Sequence, residues 1–424
     1  MLVADDQGRF GEHPELRLAA GSWDQVRPAR ELGPLVPLPE GSLLVFLPGR
    51  RPIGLDPRSG RPRVVGRGSR GPQAVAAVLP PGYLRLGLPA HTPAAPGAPA
   101  LPLRAYCAVG LVGDRLVVSA RRVDPRRHWD PARFAVGELR PRIVNALRRL
   151  PGNRVLAQLA HCALDYGCCT ASNVFLGTFE GALPVSPRCN ARCLGCISGQ
   201  PRRYGPSPQR RLSRPPPVQD LVAVAVRHLG RACPGMVSFG QGCEGEPLAE
   251  ARRVAAAIRG IRAATRRGSI QLNTNGSRPE ALPALAKAGL DSIRVSLVSA
   301  RPEAFRRYHR GTFDLATVEA FIARGVRLGL YVAVNLLVFP GFTDRPGELE
   351  ALAALFQRTG AQMVQLRNLD LDPERFVAWM QPAEGQPIGL VAFLRQLRRR
   401  IPGIDIGCFN RFKEEIRADR RRFS

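Results

Sequence analysis

Strand-like and helix-like segments alternate through the second half of the chain, and this order constrains the fold more than any other feature. The strand-like segments are residues 183–186, 236–239, 269–273, 292–297, 331–339 and 362–366. The helix-like segments between them are residues 218–228, 249–262, 279–288, 315–328 and 345–358. A repeated strand–helix order predicts parallel strands joined by right-handed crossovers. Six such strands predict an α/β fold, an incomplete (β/α)6 parallel barrel that is an open relative of the eight-stranded barrel.

Four of these strands carry polar residues at alternating positions, which is unusual for strands that helices cover. The residues are Gln271 and Asn273, Arg294 and Ser296, Asn335, and Gln365 and Arg367. Because side chains alternate between the two faces of a strand, each polar set shares one face. Burial without a partner costs about 1–3 kcal/mol for each such group, so they either pair with one another or face a polar ligand. Their occurrence on four strands favours a ligand cavity inside the barrel.

Three cysteines, Cys189, Cys193 and Cys196, follow the first strand-like segment with the spacing C-x3-C-x2-C. Thiolates are ligands of soft metal centres. A structural zinc site needs four protein ligands, and no fourth cysteine or histidine is close enough in sequence to complete one. A 4Fe–4S cluster also has four ligands as a rule, so three cysteines would leave one iron open. From the residues alone, a cluster, a structural zinc site and a chance spacing all stay open.

This spacing and its place after the first strand resemble the cluster loop of the radical S-adenosylmethionine (radical SAM) superfamily. The order of the core elements, over about residues 180–370, most resembles members of the molybdenum-cofactor-biosynthesis type. The resemblance implies an enzyme whose three cysteines hold a 4Fe–4S cluster with S-adenosylmethionine (SAM) on its open iron. It implies reductive cleavage of SAM to a 5'-deoxyadenosyl radical, which abstracts hydrogen from a substrate. The family usually has an aromatic residue before the third cysteine, where this chain has Gly195.

The same resemblance implies which residues bind SAM. The loop after the second strand resembles the glycine-rich motif that holds the amino group of SAM, with Glu246 as the first choice for that contact and Glu244 as the second. The turn after the third strand and polar residues of the next two strands resemble further SAM contacts. The full set is Gly245, Glu246 and Glu244 for the amino group, Asn273 and Asn275 in the turn, Arg294 and Ser296 for the methionine carboxylate or ribose, and Asn335 for the ribose. No catalytic residue is assigned.

Composition divides the chain into four parts. Residues 1–135 contain short apolar segments separated by Pro- and Gly-rich turns, which predicts a β-rich N-terminal extension. Residues 136–180 show helical spacing and predict a helical connection. Residues 181–370 form the predicted barrel core, and residues 371–424 are expected to be a helical C-terminal extension.

The formal net charge of +28 and the pI near 11.3 are typical of nucleic-acid binding. However, Lys287 and Lys413 are the only lysines, and the chain is rich in Ala, Gly and Pro, so GC-rich codons explain much of the arginine content. We interpret the arginine clusters at 202–214 and 398–400 as solvated surfaces. The first cluster motivates an alternative function, an RNA-modifying radical SAM enzyme.

The remaining features concern location and partners. No apolar run reaches about 18 residues and the acidic N-terminus lacks the order of a signal peptide, so we expect no membrane span. Ten cysteines without regular pairing suit a reducing cytoplasm. The expected partners are a small-molecule or peptide substrate and an electron donor such as flavodoxin or ferredoxin; nucleic acid is not favoured. A last alternative is a non-catalytic iron–sulfur or zinc protein that acts as a sensor or scaffold.

Overall fold

A computed structural model of the chain describes residues 1–66, 71–126, 136–200 and 206–416. The N-terminal strands are β1 (Leu2–Ala4), β2 (Phe10–Glu12), β3 (Arg17–Ser22), β4 (Gln25–Pro28), β5 (Leu35–Pro37), β6 (Leu43–Leu47), β7 (Arg50–Leu55), β8 (Pro62–Val64), β9 (Gln73–Val78), β10 (Tyr83–Arg85), β11 (Leu88–Pro89), β12 (His91–Pro93), β13 (Tyr106–Val112) and β14 (Arg115–Arg122). The later strands are β15 (Phe179–Ala182), β16 (Gly235–Phe239), β17 (Ser269–Thr274), β18 (Ser292–Leu297), β19 (Tyr331–Val338), β20 (Met363–Asn368) and β21 (Asp405–Gly407). The helices are α1 (Val136–Arg149), α2 (Arg154–Asp165), α3 (Cys169–Leu176), α4 (Val218–Arg231), α5 (Ala251–Ala264), α6 (Leu282–Ala288), α7 (Pro302–His309), α8 (Leu315–Arg327), α9 (Pro346–Thr359), α10 (Pro373–Trp379) and α11 (Leu390–Arg400).

Strands β15 to β21 form one parallel sheet in which the spatial order follows the chain order. At least one helix, from α4 to α11, separates each strand from the next. Within the described residues no ladder joins β15 to β21, so the barrel is open. The predicted incomplete parallel barrel with an N-terminal β-rich region is therefore confirmed. None of the helices in the described ranges is long and apolar enough to cross a membrane.

The sheet begins earlier and ends later in the chain than the sequence predicted. The first strand is β15, and residues 183–186, which were expected to form it, leave the sheet after Leu183. The backbone N–H groups of Val185 and Ser186 donate to the carboxylate of Glu244 and not to a neighbouring strand. At the other edge, β21 adds a seventh strand inside a segment that was expected to be helical. Three residues are too few to show a strand pattern in the sequence.

Alternation along the strands separates the apolar core from the barrel interior. On β18, Ile293, Val295 and Leu297 are fully buried against the helices, whereas Arg294 and Ser296 face the opposite side. Burial of each large aliphatic side chain contributes about 1.5–3 kcal/mol. Helix α8 covers this face closely and begins at Asp314, whose carboxylate accepts from the N–H of Thr317.

The N-terminal strands form two antiparallel sheets that lie over the carboxyl ends of the barrel strands. The ring of Trp23 packs on Phe339 and Phe342, which follow β19. Asn368, at the end of β20, donates to the carbonyl of Tyr83 (2.9 Å) and accepts from the N–H of Arg85 (3.0 Å). The N-terminal part therefore covers the end of the barrel at which parallel α/β folds place their sites.

A buried ionic cluster joins the N-terminal part to the last barrel strand. Oδ2 of Asp124 lies 3.1 Å from Nη1 of Arg411, and both side chains are almost fully buried. Arg411 also pairs with Asp405 of β21 at 2.6 Å, and Asp124 accepts from the N–H groups of Cys408 (3.0 Å) and Phe409 (3.2 Å). Burial opposes ionisation of Asp124, but Arg411 and these donors hold its pKa below the ordinary value.

We expect Asp124→Ala to lower the free energy of unfolding by about 3–5 kcal/mol, because Arg411 and two backbone N–H groups would lose a buried partner. Glu138→Ala is the control, since it removes an exposed pair with Arg142 one helical turn away and should cost less than about 0.5 kcal/mol. Urea unfolding measures both variants. Equal transition midpoints for the two variants would contradict this role of Asp124.

Candidate active site

A cavity of about 220 Å³ lies at the carboxyl end of the barrel, between the loop after β15 and the ends of β17 and β18. It brings together the three cysteines and most of the residues that the sequence predicted to bind SAM. The predicted residues that line it are Cys189, Cys193, Cys196, Gly245, Glu246, Asn273, Asn275, Arg294 and Ser296. Asn335 lies behind them and donates from Nδ2 to Oγ of Ser296 at 3.3 Å. Glu244 is not among the described residues that line the cavity.

Backbone pairing with the glycine loop after β16 holds the cysteine loop in place. The N–H of Gly245 donates to the carbonyl of Ser186 (2.6 Å), and that of Glu246 donates to the carbonyl of Arg188 (2.7 Å). The two loops are so close that a Cβ on Gly245 would lie 2.1 Å from the carbonyl oxygen of Arg188. Only glycine allows this approach at position 245.

The carboxylate of Glu244 connects the same two loops through hydrogen bonds from their backbone N–H groups. Its Oε2 accepts from Val185 and Ser186 N–H (2.7 and 2.9 Å), and its Oε1 accepts from Gly240 and Gln241 N–H (2.6 and 3.0 Å). Burial raises the pKa of Glu244 to about 7, against the effect of these four donors. The sequence predicted a cofactor contact for Glu244, whereas its described contacts are with the backbone of the chain.

Glu246 connects the glycine loop to the turn after β17 and also faces the cavity. Its Oε1 accepts from Leu248 N–H (3.0 Å) and from the Thr274 hydroxyl, and its Oε2 accepts from Asn275 N–H at 2.8 Å. Burial raises the pKa of Glu246 to about 7, and these donors oppose the shift. A carboxylate oxygen can accept more than one hydrogen bond, and a cation in the cavity would keep the group ionised.

Backbone hydrogen bonds join the other side of the cysteine loop to the end of α7. The N–H groups of Arg192 and Leu194 donate to the carbonyls of His309 and Tyr308, each at 3.0 Å. Gly195 adopts a left-handed φ of +72°, and a Cβ there would lie 3.0 Å from the carbonyl oxygen of Asp370. This tight contact explains why position 195 is glycine where the resembled family usually has an aromatic residue.

Two aromatic side chains in the cavity wall, Tyr308 and His309, were missed by the sequence interpretation. They end a short helix, and no motif marks them. Nδ1 of His309 lies 3.5 Å from Sγ of Cys193, and Nε2 of His309 is buried without a partner in the described parts of the chain. Burial lowers the pKa of His309 to about 3, so the imidazole is neutral.

The chemistry of the three thiols indicates what they can hold. Burial and the charges of Cys196 and Cys189 raise the pKa of Cys193 well above its ordinary value. Three thiolates can therefore lie together here only if a positively charged centre between them offsets their mutual repulsion. No three Cys, His, Asp or Glu side chains of the described residues are placed to hold a single metal ion. Three cysteines around one shared space, with no fourth cysteine among the described residues that line it, fit a 4Fe–4S cluster better than tetrahedral zinc.

Polar side chains from the barrel strands confirm that the interior holds both paired and unpaired groups. Gln271 accepts from the hydroxyl of Ser292, and Gln365 donates to Oδ1 of Asn410. The buried atoms without a partner in the described residues include Nδ2 of Asn273, Nε of Arg294 and Oδ1 of Asn335. Buried polar groups are normally hydrogen-bonded, so a polar ligand such as SAM fits this surface.

Within the described residues, the first arginine cluster is only partly exposed. Arg202 and Arg203 lie outside the described residues. Arg211 turns inward, with Nη2 3.5 Å from Sγ of Cys196 and Nε 3.3 Å from Oγ of Ser198. Residues 398–400, at the end of α11, are exposed as the sequence predicted.

Comparisons with known proteins match the part of the chain that contains this site. Residues 183–353 match the family model of the radical SAM superfamily. The chain is 30% identical over 190 residues to a GTP 3',8-cyclase of Aquifex aeolicus (strain VF5), which is 45% of this chain and 56% of the relative. It is 36% identical over 106 residues to a probable GTP 3',8-cyclase of Thermococcus kodakarensis, which is 25% of this chain and 33% of the relative. A solved radical SAM methyltransferase of Sphaerobacter thermophilus aligns with 18% identity and a TM-score of 0.40 over 54% of this chain and 65% of that one.

Residues 183–353 therefore form a radical SAM domain, and the cofactors of this class of enzyme are a 4Fe–4S cluster and SAM. The curated relatives are GTP 3',8-cyclases, which agrees with the predicted core of the molybdenum-cofactor type. The chain spans between a third and about half of the length of these relatives.

We expect Gly245→Ala to lose most of the iron that the protein takes up during anaerobic reconstitution, because the added methyl group must push the glycine loop from the cysteine loop. Gly230→Ala is the matched control. Gly230 lies in α4 with no heavy atom within 4 Å of an added Cβ, so alanine should stabilise the helix by about 0.5–1 kcal/mol. Iron and acid-labile sulfide analysis measures both variants. A wild-type cluster content in Gly245→Ala would show that the close approach is not needed.

Proposed function

We propose that the chain binds a 4Fe–4S cluster through Cys189, Cys193 and Cys196, cleaves SAM reductively to a 5'-deoxyadenosyl radical, and abstracts hydrogen from a substrate in an adjoining cavity. When bound, the cluster supplies the electron for cleavage of the sulfonium. The observation that carries this proposal is the shared cavity, in which all three cysteines meet the glycine loop and the polar strand ends.

The residues around the cavity bind and orient SAM in this proposal. Glu246 accepts from the ammonium group, which is a charge-assisted hydrogen bond in a buried setting. Ser296 and Arg294 donate to the carboxylate or ribose, and Asn335, through its unpaired Oδ1, accepts from a ribose hydroxyl. Tyr308 and His309 cover the adenine, in place of the aromatic residue that Gly195 replaces.

A second cavity of about 410 Å³ adjoins the first and is the proposed substrate site. The two cavities share Ser296, Tyr308 and Leu337. A substrate in the second cavity would therefore lie beside the cofactor and within reach of a radical. The N-terminal part forms one wall through residues 78–83 and Ala105.

The electron must come from outside the chain. Cys189 is exposed, so the cysteine loop reaches the protein surface near the proposed cluster. A flavodoxin- or ferredoxin-type donor is the proposed partner. All ten cysteines are free thiols, which supports a reducing cytoplasm as the site of action. The names of the relatives give GTP as their substrate. We do not propose GTP as the substrate of this chain, because the match covers only part of those proteins.

The experiment is 5'-deoxyadenosine formation from SAM by anaerobically reconstituted protein with dithionite, beside Cys193→Ala. We expect product from the wild type and none from the variant, because the variant lacks one cluster ligand. Absence of product from a protein that holds a full 4Fe–4S cluster would count against SAM cleavage. One zinc per chain without acid-labile sulfide would favour a sensor or scaffold instead.

A further inference from the structure

Two arginines near the second cavity lack a close ion pair among the described residues. Arg367 lines this cavity, and Arg294 lines the first cavity where the two meet. Both side chains are half-buried, and neither guanidinium has a carboxylate within ion-pair distance among the described residues. The nearest acid on the wall is Asp370, whose charge acts on Arg367 and also on the buried Arg85.

The strand register explains how the two arginines come together. Arg294 pairs with Ala333 on β19, and the small alanine leaves room for the long side chain to cross towards β20. There, Nη1 of Arg294 reaches Oε1 of Gln365 at 3.4 Å. Arg367 lies two residues further along β20, on the same face as Gln365. The two guanidinium groups therefore approach each other at the junction of the cavities.

The carboxylates nearest to the two arginines are shared with other groups. The charge of Glu180 acts on Arg294, and that of Asp370 acts on both Arg367 and Arg85. The carboxylate of Glu180 accepts from Ser238, Gln241 and Asn410. Burial and the charge of Arg367 lower the pKa of Arg294 to about 10, and the charge of Glu180 opposes this shift, so Arg294 stays charged at neutral pH. Three arginines, Arg294, Arg367 and Arg85, therefore share the charges of two carboxylates, and an anion at the junction would balance the positive charge that is left.

We propose that the second cavity binds a small substrate through an oxyanion group, a phosphate or a carboxylate, with Arg367 as the direct ligand and Arg294 as a supporting charge. This inference rests on the proposed function, in which the cavity is the substrate site. A volume of about 410 Å³ suits a small molecule or a single end group, since ligand pockets span roughly 300–1,000 Å³. The planar guanidinium of Arg367 matches either oxyanion with two parallel hydrogen bonds.

The test is calorimetric titration of the reconstituted protein with inorganic phosphate and, separately, with succinate, without SAM or reductant. We expect at least one of these anions to bind, and Arg367→Gln to weaken that binding about tenfold or more. Arg367→Lys, which keeps the charge, should recover part of the affinity. Arg252→Gln, at an exposed position on α5, should bind like the wild type. Tighter binding of phosphate than of succinate would identify a phosphorylated substrate, and the reverse a carboxylate.

Three results would overturn the assignment. The first is that the wild type binds neither anion. The second is that Arg367→Gln binds the anion as well as Arg252→Gln does. The third is that SAM displaces the anion competitively, which would place the anion in the cofactor cavity. Thermal unfolding of each variant checks that a loss of binding is not a loss of folding. The titration does not require SAM cleavage. A failure to bind the anion can therefore be distinguished from a failure to form 5'-deoxyadenosine.

Discussion

The close contact between the cysteine loop and the glycine loop is the constraint on which the site depends. Each loop leaves a different strand, and a cysteine loop free of its neighbour would have no fixed geometry. Backbone hydrogen bonds from Gly245 and Glu246 join the two loops over the end of the barrel. The carboxylate of Glu244 adds to this connection, because it accepts hydrogen bonds from four backbone N–H groups of the two loops. The buried carboxylate is tolerated because these donors replace its water.

The barrel and the N-terminal sheets make different contributions to the same site. The parallel strands bring their carboxyl ends to one edge, so polar residues far apart in the sequence line one cavity. The N-terminal part then covers that edge and forms a wall of the second cavity. The buried cluster of Asp124, Arg411 and Asp405 fixes this cover to the last strand.

Features with a period or a motif could be predicted from the sequence. Strand–helix alternation gave the open barrel, and C-x3-C-x2-C spacing gave the cysteines that line the cavity. Features that depend on tertiary contacts could not be predicted from the sequence. Glu244 looks like a ligand in the sequence, yet its described contacts are with backbone N–H groups of its own chain. Tyr308 and His309 reach the cavity only because the end of α7 pairs with the cysteine loop. Strand β21 is too short to show a pattern, and the N-terminal wall has no motif.

The central claim is that three cysteines leave one iron of a 4Fe–4S cluster open to SAM in this cavity. Electron paramagnetic resonance of the dithionite-reduced, reconstituted protein tests it most directly. We expect a reduced-cluster signal that changes shape when SAM is added, because SAM then binds the open iron. In Glu246→Gln, the same change should need a higher SAM concentration. A cluster signal that SAM leaves unchanged in the wild type would contradict the account.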